Sequence, residues 1–560
     1  MNTAFYKTNL GTTDSSIIDA VVRTLSQISR LKMDCISSHA NRHSIFSGSI
    51  TLEELERVKE AIGVRKNIVD KNAFGDFVTS EGAVFNRQIG AYMGMVLGDY
   101  LGAPVEFLHA SNHSNSIHIN SDGSVTYPEQ VFNPFHLETG QWTDDASMGA
   151  CIADSLLVCD GGYLDCTRDA QSTSPATTNG VDACDHNDAD IWCSSFSGRD
   201  IRSRFWNWCN NGYNNAFLYS KTHSPYKSIG LGGNISKSLS VISGSLLEDI
   251  PNFFISTSSD SGNGGLMRLA PVPVFYSHLS ERLCMKYCAL SSQTTHPGPL
   301  ASRAAEFLGL FIHQAINRDI DIFITPAQFI DEVAANYIKL MTTCIHPPEG
   351  LTTIMRLLAS EESESSTELS WNWKDPTLDI EKCMVSRGES YNGYPNSAGY
   401  YGSFCLDGLA VAMNAFRHTE SFNSCMMKCI NYRGDADSTG SICGQMAGAF
   451  YGVNSIQTPL LNNTLRWDNS ENLLRAIMLT SQFRIKQREL LSQNAISRNP
   501  ITFLHLPNNN NSREFKGYIG DEITTSDFTR NYPEYPREPP AIVTDKLPKS
   551  VYSMLKSFFW

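Results

Sequence analysis

The segment Gly90-Ala-Tyr-Met-Gly-Met-Val-Leu-Gly-Asp-Tyr-Leu-Gly102 carries a glycine at every fourth position. A second segment, Gly440-Ser-Ile-Cys-Gly-Gln-Met-Ala-Gly-Ala-Phe-Tyr-Gly452, repeats this spacing much later in the chain. Residues four apart lie on one face of an α-helix, so each segment predicts a helix with a stripe of glycines. An interior glycine costs a helix roughly 1 kcal/mol relative to alanine. The repeated glycines therefore indicate that another backbone approaches each helix closely.

Glycine stripes also pack helices inside membranes, which is the alternative interpretation of both segments. Polar side chains lie within or beside the stripes, at Arg87, Asp99 and Gln445. No run of about 18 or more apolar residues occurs in the chain, so no membrane-spanning helix is expected. The sequence therefore favours a buried helix–helix contact in a soluble core, and the two glycine helices are candidates to form it with each other.

Apolar residues recur at helical spacing between about residues 83 and 451, and the alternation typical of β-strands is scarce. With 560 residues, 41% of them apolar, the chain can bury a sizeable core, and the sequence predicts an all-α fold. Near the N-terminus, Thr51 and Glu54 have the spacing of a capping box, which predicts a helix start. We expect an N-terminal helical extension over 1–82, a main domain over 83–490 with polar insertions near 166–200 and 360–400, and a loop-rich tail over 491–560 that packs on the core.

The overall charge and the cysteines narrow the class of protein. A net charge of −14 argues against nucleic-acid binding, because neutralising phosphates requires clustered lysine and arginine. The N-terminus lacks the apolar stretch of a secretory signal, so a cytoplasmic location is expected, and export by a specialised secretion system is left open. The 15 cysteines form no CxxC pair and no zinc-site spacing, so buried free thiols are expected rather than disulfides. The sequence does not indicate the oligomeric state.

Two acidic clusters lie at predicted helix starts, Thr143-Asp144-Asp145 and Asp435-Ala436-Asp437-Ser438. One explanation is helix capping. Thr143 can cap the helix that follows it, and the helix dipole favours acidic residues in a first turn. The other is a cation site, because adjacent carboxylates repel each other and hard oxygen ligands bind Mg²⁺, Mn²⁺ or Ca²⁺. The similar composition of the two clusters favours a single site that they build together.

Two glycine-rich loops, Gly230-Leu-Gly232-Gly233-Asn and Ser261-Gly262-Asn263-Gly264-Gly265, also precede predicted helices. Backbone N–H groups of such loops can bind phosphate. Neither loop is a Walker A motif, because the lysine and hydroxyl residue of that motif do not follow, and each loop alone is a weak signal. The isolated His296 is compatible with a structural role or with a ligand-binding role.

Together these motifs resemble the ADP-ribosylglycohydrolase family, which includes the dinitrogenase-reductase-activating glycohydrolases. The resemblance covers about residues 84–455 and rests on five segments that stand in the family's order. They are Gly94-Met-Val-Leu-Gly-Asp-Tyr-Leu-Gly-Ala-Pro-Val-Glu-Phe107, Trp142-Thr-Asp-Asp-Ala-Ser-Met148, Gly262-Asn-Gly-Gly-Leu-Met-Arg268, Thr295-His296 and Gly434-Asp-Ala-Asp-Ser438. The resemblance implies a compact multi-helix domain with two Mg²⁺ ions, or Mn²⁺, in a central cleft.

The resemblance also implies roles for individual residues. The metal ligands would be Thr143, Asp144, Asp145, Asp435, Asp437 and Ser438, and the catalytic carboxylates would be Asp145, Glu106 and Asp144. Substrate-binding residues would be Gly262, Asn263, Gly264 and Gly265 against the phosphates, His296 near the ADP-ribose, and Phe404 on the nucleoside. Gly232 and Gly233, in the first glycine loop, are expected to bind the pyrophosphate as well. The chain departs from the family pattern at Ser438, where threonine is frequent, and at Arg433, where many members have a second glycine before Gly434.

By this resemblance, the chain is expected to hydrolyse the N-glycosidic bond of ADP-ribosylated protein side chains, so its partners would be an ADP-ribosylated protein and ADP-ribose. Arginine is favoured as the linkage because of the pattern Pro104-Val105-Glu106. Hydrolysis of serine-linked, poly-ADP-ribose or O-acetyl-ADP-ribose bonds is an alternative. A catalytically inactive ADP-ribose-binding module is another, although the intact metal ligands argue against it. A Mg²⁺-dependent phosphohydrolase is a third class, but no phosphoryl-enzyme aspartate motif is present.

Overall fold

A computed structural model of the chain describes residues 16–25, 44–46, 50–111, 116–128, 131, 133–160, 196–245, 249–256, 261–342, 348–360, 371–385, 390–391 and 394–497. The helices of these residues are α1 (Ser16–Leu25), α2 (Leu52–Ala61), α3 (Lys71–Glu81), α4 (Ala83–Gly102), α5 (Asp144–Asp160), α6 (Gly198–Asn211), α7 (Gly233–Ser240), α8 (Pro271–Phe275), α9 (Glu281–Gln293), α10 (Pro299–Asn317), α11 (Pro326–Thr342), α12 (Leu351–Ala359), α13 (Ile380–Val385), α14 (Cys405–Arg417), α15 (Phe422–Asn431), α16 (Ala436–Tyr451), α17 (Thr458–Leu465), α18 (Glu471–Leu479) and α19 (Ser481–Ser497).

The β-structure of the described residues is limited to short antiparallel hairpins of two strands each. They pair β1 (Val64–Arg65) with β2 (Ile68–Val69), β3 (His118–Ile119) with β4 (Val125–Thr126), and β5 (Ser390–Tyr391) with β6 (Tyr394–Pro395). Single 3₁₀ turns follow α4 and α16 and occupy Asn263–Gly265 and Asn396–Ala398. The predicted all-α fold is confirmed.

Helices α4 and α16 pack against each other through their glycine stripes. A Cβ atom at Gly94 would collide with the carbonyl oxygen of Gly444, and a Cβ at Gly98 with that of Gly440. Because the paired positions rise in one helix as they fall in the other, the helices are antiparallel. The contact is buried along nearly the full length of both helices. The glycine packing therefore places the end of α4 beside the beginning of α16, where the second acidic cluster lies.

Two predicted helix starts can be compared with the structure. Thr51 and Glu54 form the predicted capping box, with the Thr51 side chain accepting the backbone N–H of Glu54 at 3.2 Å. Helix α16 begins earlier than its glycine stripe, at Ala436. Asp437 and Ser438 therefore lie in the first turn of this helix, where the dipole favours the carboxylate.

Part of the polar stretch 360–400 is built more deeply into the core than its composition suggests. Trp371 and Trp373 are buried. The indole Nε1 of Trp371 donates to Asp407 at 2.8 Å, and that of Trp373 donates to the carbonyl oxygen of Leu357 at 2.6 Å. Most of the predicted insertion near 166–200 and of the predicted tail 491–560 lies outside the described residues.

The cysteines within the described ranges are free thiols, and all of them except Cys209 are buried, as predicted. The thiols of Cys425 and Cys443, on neighbouring helices, lie 3.2 Å apart. Among the helices of the described residues, none combines the length and the apolar character that crossing a bilayer requires.

Candidate metal centre and active site

Five buried carboxylates converge where the ends of α4, α5 and α16 meet. They form two trios, Asp99 with Asp145 and Asp437, and Glu106 with Asp435 and Asp437. Within each trio, one oxygen from every residue lies within 4.8 Å of the others. Asp437 belongs to both trios, so the two clusters are adjacent. The two acidic motifs are far apart in the sequence but face one centre. Asp99, from the first glycine segment, and Glu106, from the turn after it, complete this centre.

Asp99 caps helix α5 from a different helix. Its Oδ2 accepts the backbone N–H of Ala146 at 2.9 Å, and its Oδ1 accepts the backbone N–H of Thr143 at 2.9 Å. Thr143 stands directly before the helix, as the capping interpretation predicts. The side chain that accepts the Ala146 backbone N–H, however, is Asp99 and not Thr143. Sequence reasoning did not assign Asp99 to the site. The available signal was an acid in an otherwise buried, apolar helix.

The hydroxyl of Thr143 lies among three carboxylates. It donates to Asp99 Oδ1 at 2.8 Å, and it also lies 3.3 Å from Asp145 Oδ2 and 3.4 Å from Asp437 Oδ2. A hydroxyl carries one proton and two lone pairs. If the carboxyl groups are ionised, two of the three carboxylate oxygens face oxygen lone pairs, which is repulsive unless a cation lies between them. Hydroxyl and carboxylate oxygens are the donor set that hard divalent cations prefer.

Two carboxylate oxygens of the centre, Asp145 Oδ1 and Glu106 Oε2, are buried without a hydrogen-bond partner among the described residues. A buried polar atom left without a partner costs about 1–3 kcal/mol, and more when it is charged. One such oxygen belongs to each trio. A cation in each trio would satisfy both oxygens, so the residues present fit a pair of metal ions.

Burial raises the pKa values of all five carboxyl groups, and repulsion by neighbouring carboxylates adds to the effect in all of them except Asp99. The pKa of Asp99 rises to about 6 because of its burial. The pKa of Asp437 also rises to about 6, because of burial and then the charge of Asp99. The pKa values of Glu106, Asp145 and Asp435 are raised well above their ordinary range, again chiefly by burial. A cation at the centre would favour the ionised forms and reverse these shifts.

Glu106 is held at the centre by an aromatic pair. The hydroxyl of Tyr400 donates to Glu106 Oε1 at 3.0 Å, and the Tyr400 ring stacks on Phe107 with a centroid distance of 5.0 Å. A hydrogen bond from Tyr400 also acts to lower the pKa of Asp435. Tyr400 is a site residue that sequence reasoning missed, because it ends the polar stretch 360–400 and matches no motif.

The Glu106 turn and the loop before α16 are joined through their backbones. The N–H of Phe107 donates to the carbonyl oxygen of Gly434, and the N–H of Gly434 donates to that of Leu108, both at 3.0 Å. Arg433 and Gly434 have φ angles of 62° and 69°, in the left-handed region that favours glycine. Arg433 thus adopts the backbone conformation that a second glycine would adopt there, and its guanidinium donates to Ser116 Oγ at 3.1 Å.

The second glycine loop contacts the centre through Asn263. Its side-chain nitrogen donates to Asp435 Oδ2 at 2.7 Å and to the carbonyl oxygen of Gly402 at 3.1 Å. Gly262 pairs with Phe404 in an isolated antiparallel β-bridge. The structure therefore brings Phe404 to this loop, and it uses the Asn263 side chain to orient a carboxylate of the centre.

The remaining predicted binding residues lie around the same loop. The ring of His296 packs against Gly262 and Gly264, and Gly265 packs against Ser292. In the first loop, Gly230 lies against the Asp144 carboxylate. Gly232 and Gly233 begin α7, and a Cβ at Gly233 would meet no atom within 4 Å, so open space lies beside this loop.

Of the six predicted metal ligands, two have side chains that neither belong to the trios nor hydrogen-bond to them among the described residues. The Asp144 carboxylate faces Gly230. The Ser438 hydroxyl lies 3.7 Å from the sulfur of Met267, while the Ser438 backbone N–H donates to Asp437 Oδ1 at 2.9 Å. The other four, Thr143, Asp145, Asp435 and Asp437, converge as described above.

Sequence comparison assigns this helical domain and its acidic centre to one class. The sequence model of the ADP-ribosylglycohydrolase family matches residues 80–487, so the chain belongs to that family. The chain is 22% identical over 394 residues to an ADP-ribosylarginine hydrolase, Tri1, of Serratia proteamaculans, with 70% of this chain and 79% of that protein covered. It is also 22% identical to the ADP-ribosyl-dinitrogen reductase glycohydrolase of Rhodospirillum rubrum, covering 68% of this chain and 90% of that protein.

A third relative is the ADP-ribosylhydrolase ARH3 of Danio rerio, which is 22% identical over 410 residues that span 70% of this chain and 90% of that protein. Among solved structures, a chain of an ADP-ribosylglycohydrolase-related protein complex aligns with a TM-score of 0.43 and 21% identity, covering 71% of this chain and 99% of that chain.

Proposed function

We propose that this protein hydrolyses the N-glycosidic bond between ADP-ribose and an arginine side chain of a modified protein, using two Mg²⁺ ions, or Mn²⁺, at the acidic centre. The observation that carries the proposal is the position of the Thr143 hydroxyl, 3.3 Å from Asp145 and 3.4 Å from Asp437 with its one proton directed to Asp99. This arrangement suits a cation better than it suits a helix cap alone.

The two trios divide the proposed ligands between two ions. Thr143, Asp145 and Asp437 would hold one ion, and Glu106, Asp435 and Asp437 would hold the other. In this proposal, Ser438 and Asp144 would add contacts from outside the trios. Ions bound there would supply positive charge that lowers the pKa of a nearby water and orients the ribose hydroxyls.

Carboxylates of the protein would accept the proton that the attacking water loses. In the proposed reaction, the oxygen of a water bonds to the anomeric carbon, and the bond from that carbon to the arginine nitrogen breaks. Glu106 and Asp145 are the candidate acceptors of the water's proton, each through an oxygen that the ion would leave free. The released guanidino group takes up a proton as it leaves, so protons balance. Tyr400 would keep Glu106 Oε1 occupied and its Oε2 directed to the centre.

The loops around the centre suit the rest of ADP-ribose. The first glycine loop borders open space at Gly232 and Gly233, where backbone N–H groups at the start of α7 can meet a pyrophosphate. Phe404 is only partly buried and can pack on the nucleoside. Arginine is the favoured linkage because the bacterial relative Tri1 is named an ADP-ribosylarginine hydrolase.

The proposal can be tested with the full-length protein and two synthetic peptides, one ADP-ribosylated on arginine and one on serine. We expect Mg²⁺-dependent release of ADP-ribose from the arginine peptide, measured by chromatography. Asp145→Asn should abolish release without changing the circular dichroism spectrum. The matched control is Asp122→Asn, an exposed carboxylate whose hydrogen-bond partner among the described residues is Ser124, in its own turn. Release from the serine peptide alone would reject the arginine linkage. Retained ADP-ribose binding without any release would identify a binding module.

A further inference from the structure

Arg268, Thr295 and His296 form a chain of buried polar groups behind the second glycine loop. Arg268 Nη2 donates to Thr295 Oγ1, and that oxygen lies 2.8 Å from His296 Nδ1. Arg268 is fully buried, Thr295 is fully buried, and His296 is 3% exposed. The Arg268 guanidinium also stacks 4.6 Å above the ring of Phe205, which holds it in place. These contacts determine where the proton on the histidine ring lies.

The assignment follows from counting protons. A guanidinium has donors but no acceptor, so Thr295 Oγ1 must accept from Arg268. Within the described part of the chain, the other partner of Thr295 Oγ1 is His296 Nδ1. If Nδ1 donated instead, the buried hydroxyl proton of Thr295 would have no acceptor among the described residues, so we assign that proton to the bond with Nδ1. A ring nitrogen that accepts a hydrogen bond carries no proton of its own, so the neutral ring carries its proton on Nε2.

The Nε2 side of the ring faces the second glycine loop. A Cβ atom at Gly262 would lie 3.2 Å from His296 Nε2, and one at Gly264 would lie 3.0 Å from it. The absence of side chains at these two glycines lets the histidine ring pack directly against the loop. Burial, and then the charge of Arg268, lower the pKa of His296 to about 3, so the ring is neutral throughout the range where proteins function.

We propose that Thr295 and Arg268 are positioning residues that hold His296 as its Nε2-protonated, neutral tautomer, and that this N–H donates to an oxygen of the ligand bound against the second glycine loop. This inference rests on the proposed function in one respect, which is that the ligand is ADP-ribose. A fixed neutral donor needs no reorientation when the ligand binds, and it does not titrate between pH 5 and pH 8. The same ring held in the other tautomer would present a lone pair and repel the ligand oxygen.

The tautomer can be measured in the free, full-length protein after labelling its histidine rings with ¹⁵N. Two-bond ¹⁵N–¹H correlation spectra distinguish the protonated from the bare ring nitrogen, and His296→Gln identifies the signals of His296. We expect Nε2 to be protonated, with spectra unchanged between pH 5 and pH 8. Thr295→Val should give a mixture of tautomers, and Thr295→Ser, which keeps the hydroxyl, should restore the single form. A proton on Nδ1 in the wild type would overturn the proposal.

The second measurement is ADP-ribose affinity by calorimetry in the presence of Mg²⁺. Thr295→Val should weaken binding on the order of tenfold, as expected for one lost hydrogen bond to a charged ligand, and Thr295→Ser should restore it to within about twofold of the wild type. Thermal melts of both variants establish that they are folded. Equal affinity of Thr295→Val and the wild type, or no ADP-ribose binding by the wild type, would overturn the donor role. Failure of hydrolysis alone would reject the proposed function and leave this inference standing, because neither measurement uses turnover.

Discussion

The carboxylate of Asp99 accepts the hydroxyl proton of Thr143 at 2.8 Å and, through its other oxygen, the backbone N–H of Ala146 at 2.9 Å. One side chain therefore caps helix α5 and fixes the orientation of the Thr143 hydroxyl. With its proton directed to Asp99, that hydroxyl turns its lone pairs toward Asp145 and Asp437. Asp99 itself is positioned by the helix contact between α4 and α16.

This relationship predicts that Asp99→Asn weakens metal binding although the residue need not be a ligand. An amide offers one acceptor oxygen in place of two, so its NH₂ group would face either the Thr143 or the Ala146 backbone N–H. The Thr143 hydroxyl would lose its fixed orientation. Groups that orient metal ligands typically contribute 10–100-fold to affinity, and we expect a loss of about that size for Mg²⁺ in titration calorimetry.

Asp70→Asn is the matched control for this variant. Asp70 caps helix α3 in a similar way, with its Oδ1 accepting the backbone N–H groups of Asn72 and Ala73 at 3.0 Å. Asp70 is not one of the five carboxylates of the acidic centre, and asparagine is itself a good N-cap. The Mg²⁺ affinity and the free energy of unfolding should therefore stay close to those of the wild type. Wild-type Mg²⁺ affinity in Asp99→Asn would contradict the orienting role.

Stabilisation by Mg²⁺ should increase with pH. The pKa values of Asp99 and Asp437 rise from 3.8 to about 6 on folding, so without metal the folded state binds protons more tightly than the unfolded state. The stability that this protonation contributes is present below pH 4 and is lost as the pH rises through about 6. A cation binds the deprotonated centre, so it offsets this loss at higher pH and competes with protons at lower pH.

Melting temperatures measured with and without Mg²⁺ at several pH values between 5 and 8 test this expectation. The difference between the two temperatures should be small at pH 5 and largest at pH 8. Asp145→Asn, which lacks one carboxylate of the centre, should show a smaller difference at every pH. An equal difference at pH 5 and pH 8 in the wild type would show that these carboxyl groups do not take part in binding the ion.

The sequence predicted the helical fold and the glycine contact because both depend on local periodicity. The sequence itself shows a glycine at every fourth position along Gly90–Gly102 and Gly440–Gly452. Such a pattern is favourable in a helix only where another backbone approaches closely. The convergence of the acidic motifs was predicted as a single site from their similar composition. The register of α4 against α16, which brings Asp99 and Glu106 to that site, is a property of the tertiary packing that no single segment carries.

Asp99 and Tyr400 were missed for different physical reasons. Asp99 acts on the backbone of another helix, so its role depends on a contact between segments and leaves no local pattern. Tyr400 ends the polar stretch 360–400 and belongs to no motif, and its proposed role depends on one hydroxyl that donates to Glu106. The buried Trp371 and Trp373 show the same limitation, because composition averages conceal single large apolar side chains.

Tyr400→Phe should lower the turnover number more than it changes the Michaelis constant. The substitution keeps the ring that stacks on Phe107 but removes the hydroxyl that donates to Glu106 Oε1 at 3.0 Å. A hydrogen bond to a charged group contributes about 1.5–3 kcal/mol, so a loss of roughly tenfold or more in kcat is expected for the proposed hydrolysis. Steady-state kinetics on the arginine-linked peptide measure both constants.

Tyr127→Phe provides the comparison for Tyr400→Phe, since the Tyr127 hydroxyl donates to the carbonyl oxygen of Leu101 at 3.1 Å and contacts none of the five carboxylates in the described structure. It should leave kcat within about twofold of the wild type, since only a neutral hydrogen bond is lost. If both phenylalanine variants behave alike, the Tyr400 hydroxyl does not position Glu106.

Gly94→Ala should strongly destabilise the protein, whereas Gly75→Ala should stabilise it. The added methyl group at Gly94 would collide with the carbonyl oxygen of Gly444, and a backbone atom inside a helix cannot move aside as a flexible side chain can. Overpacking of a buried contact typically costs about 1–3 kcal/mol, and we expect the upper end or beyond, measured as the free energy of unfolding in urea.

Gly75 lies inside helix α3, and a Cβ there meets no atom within 4 Å, so alanine should add about 0.5–1 kcal/mol through its higher helix propensity. Because the glycine contact also sets where Asp99 and Glu106 meet α16, Gly94→Ala should weaken Mg²⁺ binding under conditions where it remains folded. Equal stability of the two alanine variants would show that the close approach of α4 and α16 does not hold the centre together.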